Sequence, residues 1–144
     1  MYVTGPLVEN GFLLQFQNKE TGKCLDAVSP EKEQPKLFGC HGLGGNQYWE
    51  FTRAGEVRFG SEGKLCLQTA SLSSTDIITK KCAHRFSNDQ PSKQQRWFLR
   101  NATVLYHPLT DLCLEGTASG LNMAPCEDAN RQIWLLQNLE SAKT

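Results

Sequence analysis

Gln47-Tyr48-Trp49, Gln95-Arg96-Trp97 and Gln132-Ile133-Trp134 contain every tryptophan of this 144-residue chain, and their recurrence decides how the rest is read. Ahead of each triplet stands a cysteine-leucine step: Cys24-Leu25-Asp26, Cys66-Leu67-Gln68 and Cys113-Leu114-Glu115. Further upstream comes a short alternating apolar pair, Leu14/Phe16, Val57/Phe59 or Val104/Tyr106, and then a polar turn. A second cysteine (Cys40, Cys82, Cys126) separates each Cys-Leu step from its triplet. Landmarks that recur in one order three times mark an internal repeat. The repeats run roughly 12–53, 54–100 and 101–138, followed by a flexible-looking tail from Glu140 to Thr144.

Within each repeat, apolar and polar residues alternate over short runs. Turn residues interrupt them, as in Lys19-Glu20-Thr21-Gly22, Gly42-Leu43-Gly44-Gly45, Gly60-Ser61-Glu62-Gly63 and Thr117-Ala118-Ser119-Gly120. This pattern predicts short strands and hairpins in an all-β fold. No stretch of ten or more residues carries helical periodicity. A unit of about 40 residues cannot bury its own apolar face, whereas three related units can close around a shared core. Trp49, Trp97 and Trp134 are expected in that core, with Gln47, Gln95 and Gln132 bonding backbone groups of adjoining turns.

Fifteen basic and fifteen acidic residues balance, so charge favours neither nucleic acid nor an anionic membrane as partner. No apolar run approaches the roughly 18 residues of a membrane-spanning helix. Met1 to Gly11 has no charged segment leading into an apolar one, so no signal peptide is read there. Six cysteines can pair in fifteen ways. None belongs to a C-x-x-C pair, which disfavours zinc ribbons and thioredoxin chemistry. They fall as three couples, one per repeat, and are read as three local disulfides: Cys24–Cys40, Cys66–Cys82 and Cys113–Cys126. Six reduced core thiols are the alternative. Disulfides imply an oxidising compartment, and with no signal peptide they imply a fragment of a longer secreted or lumenal chain. The sequon Asn101-Ala102-Thr103 fits that route as a candidate N-glycosylation site.

The Gln-x-Trp triplets with their Cys-Leu steps resemble the ricin B-type lectin family over nearly the whole chain, Phe12 to Gln137. The likeness is closest to the C-terminal lectin domain of polypeptide N-acetylgalactosaminyltransferases. Cys24-Leu25-Asp26 and the run Phe38-Gly39-Cys40-His41-Gly42-Leu43-Gly44-Gly45-Asn46-Gln47 carry it. The resemblance implies a β-trefoil, a single lectin domain over 1–144, without a catalytic centre, cofactor or metal of its own. It implies a Golgi-lumenal module of a type II membrane protein, or a secreted one, that binds N-acetylgalactosamine already attached to a peptide. The module would steer a tethered catalytic domain, which would use UDP-GalNAc and Mn2+, in mucin-type O-glycosylation.

A galactose-type ring offers vicinal hydroxyls and an apolar C–H face, so its site needs a fixed carboxylate, an amide and a flat ring. The first repeat has all of these, at positions matching the family's sugar contacts: Asp26, Asn46 and Phe38, with His41 as a further ring. The family often has tyrosine where Phe38 stands, so the stacking face is kept and one hydroxyl lost. The second repeat substitutes Gln68, Gln94 and Lys80. The third keeps Glu115 but has Arg131 and Ala124, and Arg131 is placed to pair with Glu115. Taken singly, Asp26 and Asn46 read equally well as turn residues, Phe38 as core and His41 as a surface histidine. Two other functions are weighed: a trefoil interaction scaffold with no sugar role, and glycoside hydrolysis by Asp26 and Glu127. His41, His84 and His107 lie in unrelated surroundings, and no nucleophile elbow or zincin motif occurs.

Overall fold

The computed structural model describes residues 13–28, 34–60, 64–83 and 89–138. His84, Ser61 to Gly63 of one expected turn, and the tail from Glu140 lie outside them. Each repeat contributes four strands. The first gives β1 (Leu13–Asn18), β2 (Lys23–Asp26), β3 (Lys36–Gly39) and β4 (Trp49–Phe51); the second gives β5 (Val57–Phe59), β6 (Leu65–Thr69), β7 (Ile77–Lys81) and β8 (Phe98–Arg100). The third supplies β9 (Val104–His107), β10 (Leu112–Thr117), β11 (Gly120–Pro125) and β12 (Trp134–Asn138). The segment before each tryptophan forms a single turn of helix: 3-10 at Gly45–Gln47 and Asn130–Gln132, α (α1) at Gln90–Gln94.

First and fourth strands form a barrel. β1 pairs with β12 and β4, β4 with β5, and β8 with β9, all antiparallel. The remaining seams are bridged by Trp97 N–H to Gly55 O (2.7 Å) and Trp134 N–H to Thr103 O (2.8 Å). Closure satisfies barrel edges that would otherwise invite intermolecular pairing. Second and third strands form the hairpins β2–β3, β6–β7 and β10–β11. Three lobes of one design around a common core make this a β-trefoil.

Trp49, Trp97 and Trp134 are fully buried, and each indole N–H donates to the leucine carbonyl of its Cys-Leu step: Leu25, Leu67 and Leu114, at 3.0, 3.0 and 3.1 Å. Around them pack Phe16, Leu25, Val57, Leu67, Leu105 and Leu114. The disulfides Cys24–Cys40, Cys66–Cys82 and Cys113–Cys126 close within their own repeats. Each loop is worth about 3 kcal/mol on the chain-entropy account.

Strand register corrects one landmark. Gln17, Arg58 and Tyr106 sit opposite the first cysteine of their repeats, so they are equivalent. The buried residues before them are Phe16, Val57 and Leu105. The pair Val104/Tyr106 is therefore shifted by one place: Leu105 and His107 face the core. Tyr106 lies outside, its hydroxyl donating to Asp111 (2.7 Å) and its ring 3.7 Å from the Arg100 guanidinium carbon. Because strand side chains alternate faces, a slip of one residue reverses the whole assignment.

The residue after these three positions links neighbouring lobes. Asn18 Nδ2 donates to Arg131 O (2.9 Å), and His107 Nε2 bonds Gln94 O (2.8 Å); each target immediately precedes the glutamine of the adjoining lobe. A carbonyl only accepts, so Nε2 carries the His107 proton and Thr110 Oγ1 donates to Nδ1 (2.8 Å). Phe59 fills the same seat against Trp49 as His107 does against Trp97, with ring centroids 5.5 and 4.8 Å apart, but it has no donor.

Two predictions follow from this inter-lobe packing. A Cβ on Gly116 would lie 2.7 Å from Asn18 Cγ, so Gly116→Ala should lower stability by about 1–3 kcal/mol, read by urea unfolding. Burial pushes the His107 imidazole down from its ordinary pKa, outweighing the carbonyl bond that favours the charged ring. The folded chain thus binds fewer protons than the unfolded one, and stability falls as pH drops below about 6.5 toward the folded-state value. His107→Asn, copying Asn18, should flatten that part of a melting-temperature profile.

Candidate sugar-binding site

Each Gln-x-Trp glutamine ties two backbone groups and one side chain together. Gln47 Nε2 donates to Gly39 O (2.9 Å) and Asp26 Oδ2 (3.1 Å), and its Oε1 accepts from His41 N–H (3.3 Å). Gln95 repeats the set with Lys81 O (3.0 Å), Gln68 Oε1 (2.8 Å) and Ala83 N–H (2.8 Å). Gln132 repeats it with Pro125 O (2.9 Å), Glu115 Oε1 (3.3 Å) and Glu127 N–H (2.7 Å). Sequence reasoning gave these glutamines backbone partners only. The structure adds the third: each holds the side chain that follows its own Cys-Leu step.

In lobe one that side chain is Asp26, 8% exposed. Its Oδ1 accepts from Val28 N–H (2.7 Å), so the turn role open to an aspartate is realised. Two acceptor directions on the carboxylate remain after these bonds, which is the valence needed to receive two hydroxyl protons. Val28 has φ 59°, a left-handed conformation costly for a β-branched residue. That twist sends its N–H to Asp26 and its carbonyl to Asn46 Nδ2 (2.6 Å). Nothing in the sequence marked Val28, because valine is among the residues least suited to that backbone.

Asn46 is exposed, in the turn between Gly45 and Gln47. Gly44 (φ 82°) and Gly45 (φ 60°) provide the left-handed steps that bring it back toward β2. Its own carbonyl accepts from Ala27 N–H (2.8 Å). In the other two lobes the equivalent carbonyl, of Gln94 or Arg131, is bonded across the lobe boundary. Phe59 offers no donor for that bond here, and the lobe-one turn is tied to Ala27, the residue after Asp26.

Register places Phe38 opposite Cys24, on the hairpin face that Asp26 shares. Phe38 is 48% exposed, so it is no core residue. His41 is exposed, and its Nδ1 accepts from Leu43 N–H (3.0 Å), which leaves Nε2 with the ring proton. The structure thus joins Asp26 and Asn46 through Val28, Ala27 and Gln47, and sets Phe38 and His41 at the flanks. A groove of about 750 Å³ between the hairpins, lined by Lys23, Lys36, Ile77 and Leu121 among others, includes none of the four.

The sister lobes keep the frame and change the tip. Gln68 replaces the carboxylate, and its amide is occupied by Gln95 and Thr69 O (3.1 Å). Lys80 and Ala124 stand opposite the first cysteine where Phe38 stands in lobe one. In lobe three Arg131 Nε donates to Glu115 (3.0 Å) and its Nη2 to Glu127. These two carboxylates, Glu127 foremost, hold the guanidinium charged to still higher pH. Glu127 and Asp26 belong to different lobes. Asn101 is exposed in the tight turn joining β8 and β9. Among the described residues no cluster of three His, Cys, Asp or Glu side chains is arranged to hold a metal ion.

Residues 12–138 match the sequence profile of the ricin-type beta-trefoil lectin domain, and the chain belongs to that family. Among similar proteins are polypeptide N-acetylgalactosaminyltransferase 3 of Mus musculus, 33% identical over 116 residues, and transferase 13 of Rattus norvegicus, 33% identical over 130. The matches cover 78% and 87% of this chain but only 18% and 22% of those enzymes. Two solved structures share the fold. GalNAc-T7 with UDP, GalNAc and Mn2+ has TM-score 0.71 at 20% identity, over 93% of this chain and 24% of that one. A non-toxic homologue of type II RIPs from Momordica charantia (bitter gourd), in complex with α-methyl-D-galactoside, has TM-score 0.70 at 19% identity, over 88% and 48%.

Because the glutamine frame repeats in all three lobes, Gln47→Ala, Gln95→Ala and Gln132→Ala should each cost about 1–3 kcal/mol by leaving buried partners unsatisfied. Urea unfolding should show similar losses. Only Gln47→Ala should move the backbone NMR signals of Asp26 and Val28.

Proposed function

We propose that this chain is a carbohydrate-recognition module that holds one N-acetylgalactosamine- or galactose-type ring in lobe one. In this reading it steers a tethered transferase catalytic domain toward peptides already carrying such sugars. The supporting observation is the asymmetry of the lobes: three identical frames, one open carboxylate. Asp26 would accept the protons of two vicinal hydroxyls, Asn46 would supply amide hydrogen bonding, and Phe38 would cover the apolar C–H face. His41 Nε2–H adds a donor at the rim. The likeness to transferase lectin segments supports a Golgi-lumenal setting, with UDP-GalNAc and Mn2+ chemistry belonging to the catalytic domain.

One shallow site implies weak binding. A millimolar dissociation constant corresponds to roughly −4 kcal/mol, about what a few hydrogen bonds and one stacking face leave after ordering costs. A tether converts such weak capture into a high local concentration of substrate.

Titration with N-acetylgalactosamine, followed by backbone NMR, should perturb lobe one alone. Asp26→Ala should weaken binding at least tenfold, whereas Glu115→Ala should leave it unchanged. Binding retained by Asp26→Ala would remove the site from lobe one, and loss in Glu115→Ala would move it to lobe three.

A further inference from the structure

The loop joining His41 to Asn46 contains a single side chain between glycines, that of Leu43, and it is 80% exposed. A lone surface leucine is ordinary and calls for no role. This one is set differently. Gly42 (φ 67°) and Gly44 (φ 82°) flank it with left-handed backbone, and its N–H is bonded to His41 Nδ1 at 3.0 Å. The following turn is fastened to β2 through Asn46 and to Asp26 through Gln47. The backbone therefore holds Leu43 outward at the tip of the loop whose two ends carry the proposed sugar contacts. Phe38, the other exposed large apolar side chain among the described residues of lobe one, stands on β3, the strand that leads into this loop.

Lobe three shows the contrast. Its shorter loop after the second cysteine carries Glu127 and Asp128, and Ala124 takes the Phe38 position. The two places that are apolar and exposed in lobe one, the loop after the second cysteine and the position opposite the first, are acidic and small in lobe three, whose exposed leucine, Leu135, lies on β12 instead. A saccharide gripped through two vicinal ring hydroxyls would leave its anomeric substituent outside those polar contacts, on the side where exposed apolar side chains are available.

We infer that Leu43, together with the outer edge of Phe38, forms an apolar ledge that selects among carriers of the sugar, favouring a saccharide whose anomeric substituent is itself apolar. The inference rests on the lobe-one reading and adds a specificity residue to it. Partial burial of one leucine side chain corresponds to a preference of about three- to tenfold.

The test compares methyl and phenyl α-glycosides of N-acetylgalactosamine, titrated into the oxidised 144-residue chain by NMR. The parent should bind the phenyl glycoside about three- to tenfold more tightly. Leu43→Ser should bring the ratio of the two affinities close to one, and Leu43→Met should restore it. Equal binding of both glycosides by the parent, or an unaltered ratio in Leu43→Ser, would overturn the ledge and leave the lobe-one site standing. Failure of the parent to bind either glycoside would overturn the site and the ledge together.

Discussion

A buried glutamine amide that cannot leave its partners unsatisfied sets the form of every lobe. Its nitrogen and oxygen bond backbone at the end of the third strand and just after the second cysteine, and its remaining proton reaches a side chain on the second strand. An unpaired amide in that position would cost on the order of 1–3 kcal/mol, so hairpin, turn and tryptophan strand are placed together or not at all. The indole beside it adds a second fixed bond, to the leucine carbonyl of the Cys-Leu step. Geometry of the lobe is thereby separated from its chemistry. The glutamine accepts aspartate, glutamine or glutamate as its third partner with little change in distance.

That separation accounts for a molecule with one open site and two closed ones. Replacing Asp26 by Gln68 gives an amide that satisfies itself locally. Lengthening it to Glu115 gives a carboxylate within reach of Arg131, whose planar fork engages Glu127 as well. The lobe-one turn gains a further distinction from outside its own repeat. Phe59 brings no donor to the Asn46 carbonyl, which accepts from Ala27 beside the carboxylate-bearing strand, so this lobe boundary lacks the cross-lobe bond that the other two have.

Much of this was legible in the sequence. Triplets, Cys-Leu steps and local cysteine couples are landmarks whose order survives any shift in strand boundary, and they led to three β-rich repeats around a tryptophan core. Asp26, Phe38, His41 and Asn46 were singled out because they coincide in one repeat; the fold links Asp26 to Asn46 through Val28, Ala27 and Gln47 and puts Phe38 on the hairpin face of Asp26. What escaped was whatever depends on register or rare backbone. Leu105 and His107 were passed over for Val104 and Tyr106, since an alternating run reads equally well in either phase until its partner strand is known. Val28 was invisible because no composition rule expects a left-handed valine. Phe59 looked like one more apolar strand residue, and only its seat against Trp49 shows the hydrogen bond it does not make.

Each disulfide closes inside its own repeat, while β1 and β12 pair residues as distant as Leu14 and Asn138. During synthesis the two kinds of contact become available at different times. A bridge can form once its own repeat has left the ribosome, with no cysteine of a later repeat needed. The β1–β12 seam has to wait for the last strand, and contacts so far apart in sequence form slowly. Until then β1 lacks one of its two barrel neighbours. The interval most exposed to wrong association thus comes just before β12 docks on β1.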